Sequence, residues 1–101
     1  MVEHLDKTTF FEVINSETKP VIVDFYADWC VPCKMLAPLI EELASERRDV
    51  RFCKVNVDHA PEIAADYGVR NIPALVSFRD GQRLNSLFGV CPKDEIMELI
   101  S

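Results

Sequence analysis

The run Val21-Ile22-Val23-Asp24-Phe25-Tyr26 joins β-branched and aromatic residues without the alternation of a half-exposed strand. Such a run predicts a strand covered on both faces. A carboxylate in its middle is the first anomaly in the pattern. Ahead of it, Phe10, Val13 and Ile14 recur at helical spacing, which predicts a helix over about Thr9–Ser16. Asp6 or Thr8 can cap that helix, and Lys19-Pro20 closes it. Val2–Leu5 suits a short edge strand. From Cys33 to about Arg47, Leu36, Leu39, Ile40, Leu43 and Ala44 form an amphipathic stripe, with Pro38 inside it as a predicted kink. Val50–Val57 reads as a second buried strand whose charged exceptions are Arg51 and Lys54. Pro61–Tyr67 suits a short helix ended by Gly68.

After Ile72-Pro73 the rhythm changes. Ala74–Phe78 and Arg83–Phe88 are apolar runs joined by Arg79-Asp80-Gly81-Gln82, a hairpin signal. Pro92 then opens a last helix with Ile96, Leu99 and Ile100 as its apolar side. The order β-α-β-α-β-α-β-β-α predicts an α/β protein with a mixed, helix-covered sheet. Its early strands are parallel through right-handed crossovers, and its last two form an antiparallel hairpin.

Composition narrows the picture. The 101 residues are 49% hydrophobic and 28% charged, which argues against disorder and for one domain over residues 1–101. The formal net charge of −6 comes without a basic stripe, so nucleic acid is not an expected partner. No apolar run approaches the ~20 residues of a membrane helix. The start, MVEHLDKTTF, has neither a basic n-region nor an apolar h-region, so a cytoplasmic location is expected.

Four cysteines are present: Cys30, Cys33, Cys53 and Cys91. Only Cys-Val-Pro-Cys at 30–33 has a recognisable spacing. A zinc site wants a second such pair or matched histidines, and His4 and His59 stand alone. A CxxC within alternating strands and helices points to redox chemistry instead. It follows a buried strand and opens a helix, where unpaired N–H groups and partial positive charge favour an anion. Cys30 therefore sits where its thiolate is favoured. Cys33, one turn further in, is expected to point back beneath it and to be less exposed.

The segment Asp24-Phe25-Tyr26-Ala27-Asp28-Trp29-Cys30-Val31-Pro32-Cys33-Lys34, followed by Pro38, Ile72-Pro73 and Gly89, resembles the thioredoxin family along nearly the whole chain. The resemblance implies the thioredoxin fold, with four helices flanking the sheet, and protein-disulfide reduction without a bound cofactor or metal. It implies that Cys30 attacks a target disulfide and Cys33 resolves the mixed disulfide. A thioredoxin reductase would regenerate the dithiol, and the chain would act as a monomer. Asp24 matches the family's buried aspartate, expected to carry a raised pKa, and Lys54 matches the lysine facing it. Trp29 and Pro32 match residues flanking the disulfide, and Pro73 matches the family's cis-proline. Ile72, Gly89 and Val90 match the rim along which a target peptide lies. The departures are Val31 and Asn71, each in place of a usual glycine, and Tyr26 in place of a common tryptophan. Val31 adds apolar surface beside the attacking sulfur. Tyr26 is expected to fill the core. Cys53, alternating with Lys54, is expected to be a buried hydrophobe. Cys91 fits either a spacer before the last helix or an exposed thiol.

Overall fold

The computed structural model describes residues 1–101. Its elements are β1 (Glu3–His4), α1 (Lys7–Ser16), β2 (Val21–Tyr26), α2 (Val31–Glu46), β3 (Arg51–Asn56), α3 (Pro61–Asp66), β4 (Ala74–Arg79), β5 (Gln82–Phe88) and α4 (Lys93–Glu98). The strands lie side by side in the order β1-β3-β2-β4-β5. β1, β3 and β2 run parallel, while β4 is antiparallel to both of its neighbours. This is the mixed sheet that the element order predicts.

Local chemistry sets the element ends. Asp6 caps α1 by accepting the N–H groups of Thr8 at 2.9 Å and Thr9 at 2.8 Å, and Thr9 Oγ1 accepts the Asp6 N–H in return at 2.8 Å. That reciprocal box satisfies donors that helix geometry would otherwise leave unpaired. The hairpin turn places Asp80 at φ 53° and Gly81 at φ 78°, the paired left-handed geometry that matches strand twist and favours Asp-Gly. Helix α2 starts at Val31, earlier than the apolar stripe alone indicates. Cys30 is its cap, and Pro32 sits in the first turn, where a missing N–H breaks no bond.

Strand alternation divides the core between two faces. Val21, Val23 and Phe25 of β2 pack with Phe10, Val13 and Ile14 of α1 and Ile63 of α3. On the other face Ile22 packs with Leu36, Ile40 and Leu43 of α2 and Ile96 of α4. Asp24 shares that second face, because it lies two residues beyond Ile22. The expected hairpin forms, but its two apolar runs differ in cover: no residue of β5 is buried, and Leu84 and Phe88 are 40% and 48% exposed. β5 is the sheet's outer strand, and the helices lie over the central ones, so its apolar residues read the same in sequence but lack a covering layer.

The hairpin is tied to the C-terminus through a buried hydroxyl. Ser77 Oγ donates to the Leu99 carbonyl at 2.7 Å and accepts the Asn85 N–H at 3.1 Å, beside the bulge between Val76 and Phe78. Ser77→Ala removes the buried donor to the Leu99 carbonyl and the acceptor of the part-buried Asn85 N–H, and should cost about 1–2 kcal/mol. Urea unfolding should show a lower midpoint with an unchanged m-value. An unchanged midpoint would mean that Asn85, whose side-chain N–H₂ also reaches the Leu99 carbonyl at 3.1 Å, holds this end alone.

Candidate active site

The end of β2 delivers Tyr26 to the top of the sheet, and Ala27–Trp29 turn the chain into α2. Cys30 occupies the cap with extended backbone (φ −88°, ψ 108°), and its Sγ accepts the Cys33 N–H at 3.2 Å. The two cysteines form a disulfide. A sulfur at this position receives both the first-turn N–H groups and the helix field, so the thiolate released on reduction is stabilised. The expected difference in exposure is all but absent in this oxidised form, with Cys30 at 4% and Cys33 at 3%. Position along the helix separates the two sulfurs. Cys30 is at the terminus, whereas Cys33 lines a cavity of about 330 Å³ beneath it.

That cavity also collects Asp24, Tyr26, Asp28, Lys34 and Lys54. Asp24 is 3% exposed and its Oδ1 has no hydrogen-bond partner. Burial pushes its carboxyl up to about 7, and the positive charge of Lys54 only partly offsets that rise. Lys54 stands in register with Asp24 across the β2–β3 ladder, yet the two form no salt bridge. Its ammonium instead lies 5.4 Å from the centroid of the Tyr26 ring. The core-filling expectation for Tyr26 is therefore corrected. Its ring is half-buried and forms a cavity wall, with its hydroxyl 3.4 Å from His4 Nδ1.

The other sequence-derived positions gather around the disulfide from distant parts of the chain. The Ile72–Pro73 bond is cis, Pro73 is buried, and Ile72 packs against Ala27, Cys30 and Cys33. Gly89 donates its N–H to the Pro73 carbonyl at 2.8 Å and holds φ at 87°, a conformation suited to glycine. Trp29, Val31 and Val90 are 68%, 64% and 45% exposed, apolar side chains presented to solvent rather than to the core. Sequence reading missed Asp58, whose Oδ2 accepts the Trp29 Nε1–H at 2.9 Å. It also missed Asp28 as a second carboxylate on the cavity wall. Neither has a spacing signal, because each earns its place through a contact made only by the fold. Cys53 is fully buried on the α1–α3 face, with its thiol pushed up to about 12 by burial. Cys91 is buried as well, and burial likewise raises its thiol, which resolves the earlier alternative in favour of the spacer.

A disulfide that can reopen into a field-stabilised thiolate, rimmed by exposed apolar side chains, is built to exchange with another disulfide. Fold and site together define a thiol–disulfide oxidoreductase. The chain belongs to the thioredoxin family, whose "Thioredoxin" model matches residues 1–101. It is 41% identical over 99 residues to a thioredoxin of Mycoplasmoides gallisepticum, covering 98% of this chain and 99% of that one. It is 39% identical over 93 residues to a chloroplastic M-type thioredoxin of Chlamydomonas reinhardtii, covering 91% of this chain and 66% of the relative. Among solved structures, a mutant thioredoxin of Halobacterium salinarum superposes with a TM-score of 0.88 at 38% identity, covering 97% of this chain and 86% of that one. No helix is long and apolar enough to cross a membrane.

Proposed function

We propose that the chain reduces protein disulfides as a single-domain monomer in the cytoplasm, with Cys30 attacking and Cys33 resolving. The observation that carries this division is the cap: Cys30 Sγ, not Cys33 Sγ, accepts a helix N–H at the terminus. The reduced Cys30 thiolate attacks one sulfur of a target disulfide, forms a mixed disulfide and expels the first target thiolate. Cys33 then gives its proton to the Asp24 carboxylate across the shared cavity and attacks Cys30 Sγ. The Cys30–Cys33 disulfide re-forms, the second target thiolate leaves, and two electrons have passed to the target. A carboxyl near 7 holds and releases protons at neutral pH, and Lys54 tunes it through its charge. A thioredoxin reductase restores the dithiol.

Trp29, held by Asp58, with Val31, Pro32, Ile72, Pro73, Gly89 and Val90, forms the rim on which an extended target segment docks. Reductase-coupled turnover of a chromogenic disulfide tests the whole reading. Sustained turnover is expected, and a reduced protein that never re-oxidises with substrate would overturn it.

Val31 is the residue on this rim that departs from the family pattern. It adds no charge, so Val31→Gly should move the Cys30–Cys33 potential by no more than ~30 mV, the equivalent of one modest interaction. Its exposed bulk lies where a reductase must approach, so kcat/KM with that reductase should change by a larger factor, several-fold or more. Redox equilibration against glutathione measures the first quantity and steady-state kinetics the second. A large potential shift with unchanged kinetics would assign the valine to redox poise instead of docking.

A further inference from the structure

His4, Lys54 and Asp24 occupy one row across three adjacent parallel strands, His4 beside Lys54 and Lys54 beside Asp24. Tyr26 lies two residues beyond Asp24 on β2, so its ring rises from the same face of the sheet. Its edge meets the His4 ring at 6.3 Å between centroids and 74° between planes, and its hydroxyl lies 3.4 Å from His4 Nδ1. The Lys54 ammonium lies within the ~6 Å at which a cation is attracted to an aromatic face, at 5.4 Å from the ring centroid. Long side chains on a strand lean along it, so a lysine that starts level with Asp24 can reach the ring of the residue two positions on. Asp24 Oδ1 meanwhile has no partner at all.

We propose that Tyr26, steadied by His4, is a positioning residue that holds the Lys54 ammonium over its ring and so keeps the Asp24 carboxyl without a direct cationic partner. The charge of Lys54 is thereby felt by the carboxyl but not spent on an ion pair, which leaves the carboxyl free to take a proton from Cys33. The other titratable groups turned toward this space are Asp28 on the loop after β2, Cys33 and Lys34 on α2, and Cys91 before α4. Neither Asp28 nor Cys91 supplies a cation, and of the two lysines it is Lys54, not Lys34, whose charge acts on the Asp24 carboxyl. Lys54 is therefore the cation whose placement decides the matter. The proposal rests on the proton-accepting role given to Asp24 above.

Carboxyl-carbon NMR titration of Asp24 in the oxidised protein tests it directly. In Tyr26→Leu the released ammonium should reach the carboxyl and lower its titration midpoint by about one pH unit, tenfold in proton affinity. In a Lys54→Met background the same Tyr26→Leu change should produce no fall. Tyr26→Phe, which keeps the ring, should stay close to the wild-type midpoint. An equal fall in both backgrounds would show that water entry does the work, and an unchanged or raised midpoint in Tyr26→Leu would show that the ring does not restrain the lysine. Either result overturns the proposal. Should Tyr26→Leu fail to fold, proton NMR of the wild-type protein decides instead. Ring shielding should place the Lys54 ε-methylene protons upfield of those of the exposed lysines, and an ordinary position overturns the proposal. These readouts report the carboxyl and the lysine themselves. If Asp24 took no part in resolution, exchange kinetics would be unchanged in Asp24→Asn while the titration pattern stayed intact.

Discussion

Cys30→Ser should lose disulfide reduction almost completely, by ~10³-fold or more, because no other cysteine sulfur caps a helix. Cys33→Ser should lose turnover to a similar extent by a different route. Its Cys30 still attacks, but the mixed disulfide has no resolving thiol, so target proteins accumulate covalently on the chain. Incubation with a cell extract, followed by non-reducing electrophoresis and release with dithiothreitol, distinguishes the two. Abundant adducts are expected with Cys33→Ser and almost none with Cys30→Ser. Alkylation of the reduced wild-type protein should likewise be faster at Cys30 near neutral pH. Equal trapping by both variants would remove the basis for calling either sulfur the attacker. Cys53 and Cys91 cannot substitute in either variant, since neither caps a helix and both thiols are raised rather than lowered.

Asp24→Asn should change the pH dependence of both stability and rate. The Asp24 carboxyl is raised from 3.8 to about 7 in the folded, oxidised protein, chiefly by burial and against the pull of Lys54. Between those values the native state holds a proton that the unfolded chain has released. Stability therefore falls as pH rises through this window, and the loss is complete above about 7. At about 1.4 kcal/mol per unit, the full shift corresponds to a penalty of about 4 kcal/mol at alkaline pH. An asparagine escapes it, so the variant should be the more stable protein at pH 8, with the difference shrinking toward pH 4. Denaturant midpoints at several pH values measure this, and parallel pH profiles for the two proteins would rule out a buried titrating carboxyl. The same variant loses the buried carboxyl of the cavity and keeps only Asp28 on its wall, so resolution by Cys33 should slow near neutral pH and regain rate as pH approaches the thiol's own range. Gain in stability together with loss in rate is what separates a carboxyl kept for chemistry from one kept for packing.

Much of this molecule is legible in its sequence, for reasons that differ by element. β2 and β4 were legible because a strand covered on both faces must be apolar at nearly every position, and α2 because its apolar stripe follows the helical period. β5 was legible as a hairpin strand, but its exposure was not, since Leu84, Leu87 and Phe88 read alike in a covered and an uncovered strand and only the sheet order shows which it is. At the site, the cysteine pair announced itself by spacing, and Asp24 by being a carboxylate in an apolar run. Tyr26 reads as core because aromatics in buried strands usually are, yet it lies at the strand's end, where the covering helix gives way to the cavity. Asp58 was invisible, as its hydrogen bond to Trp29 links residues 29 positions apart.

The two cysteines outside the motif lie on opposite sides of the sheet, Cys53 with α1 and α3 and Cys91 with α2 and α4. Four cysteines permit three complete pairings. In the folded chain the sheet acts as an insulating partition between this pair, and no thermal breathing short of unfolding can bring their sulfurs together. A bridge between these two is thus forbidden by topology as well as by the burial that raises both thiols. A protein that spends its working life passing electrons between sulfurs can carry two spare ones that never meet each other.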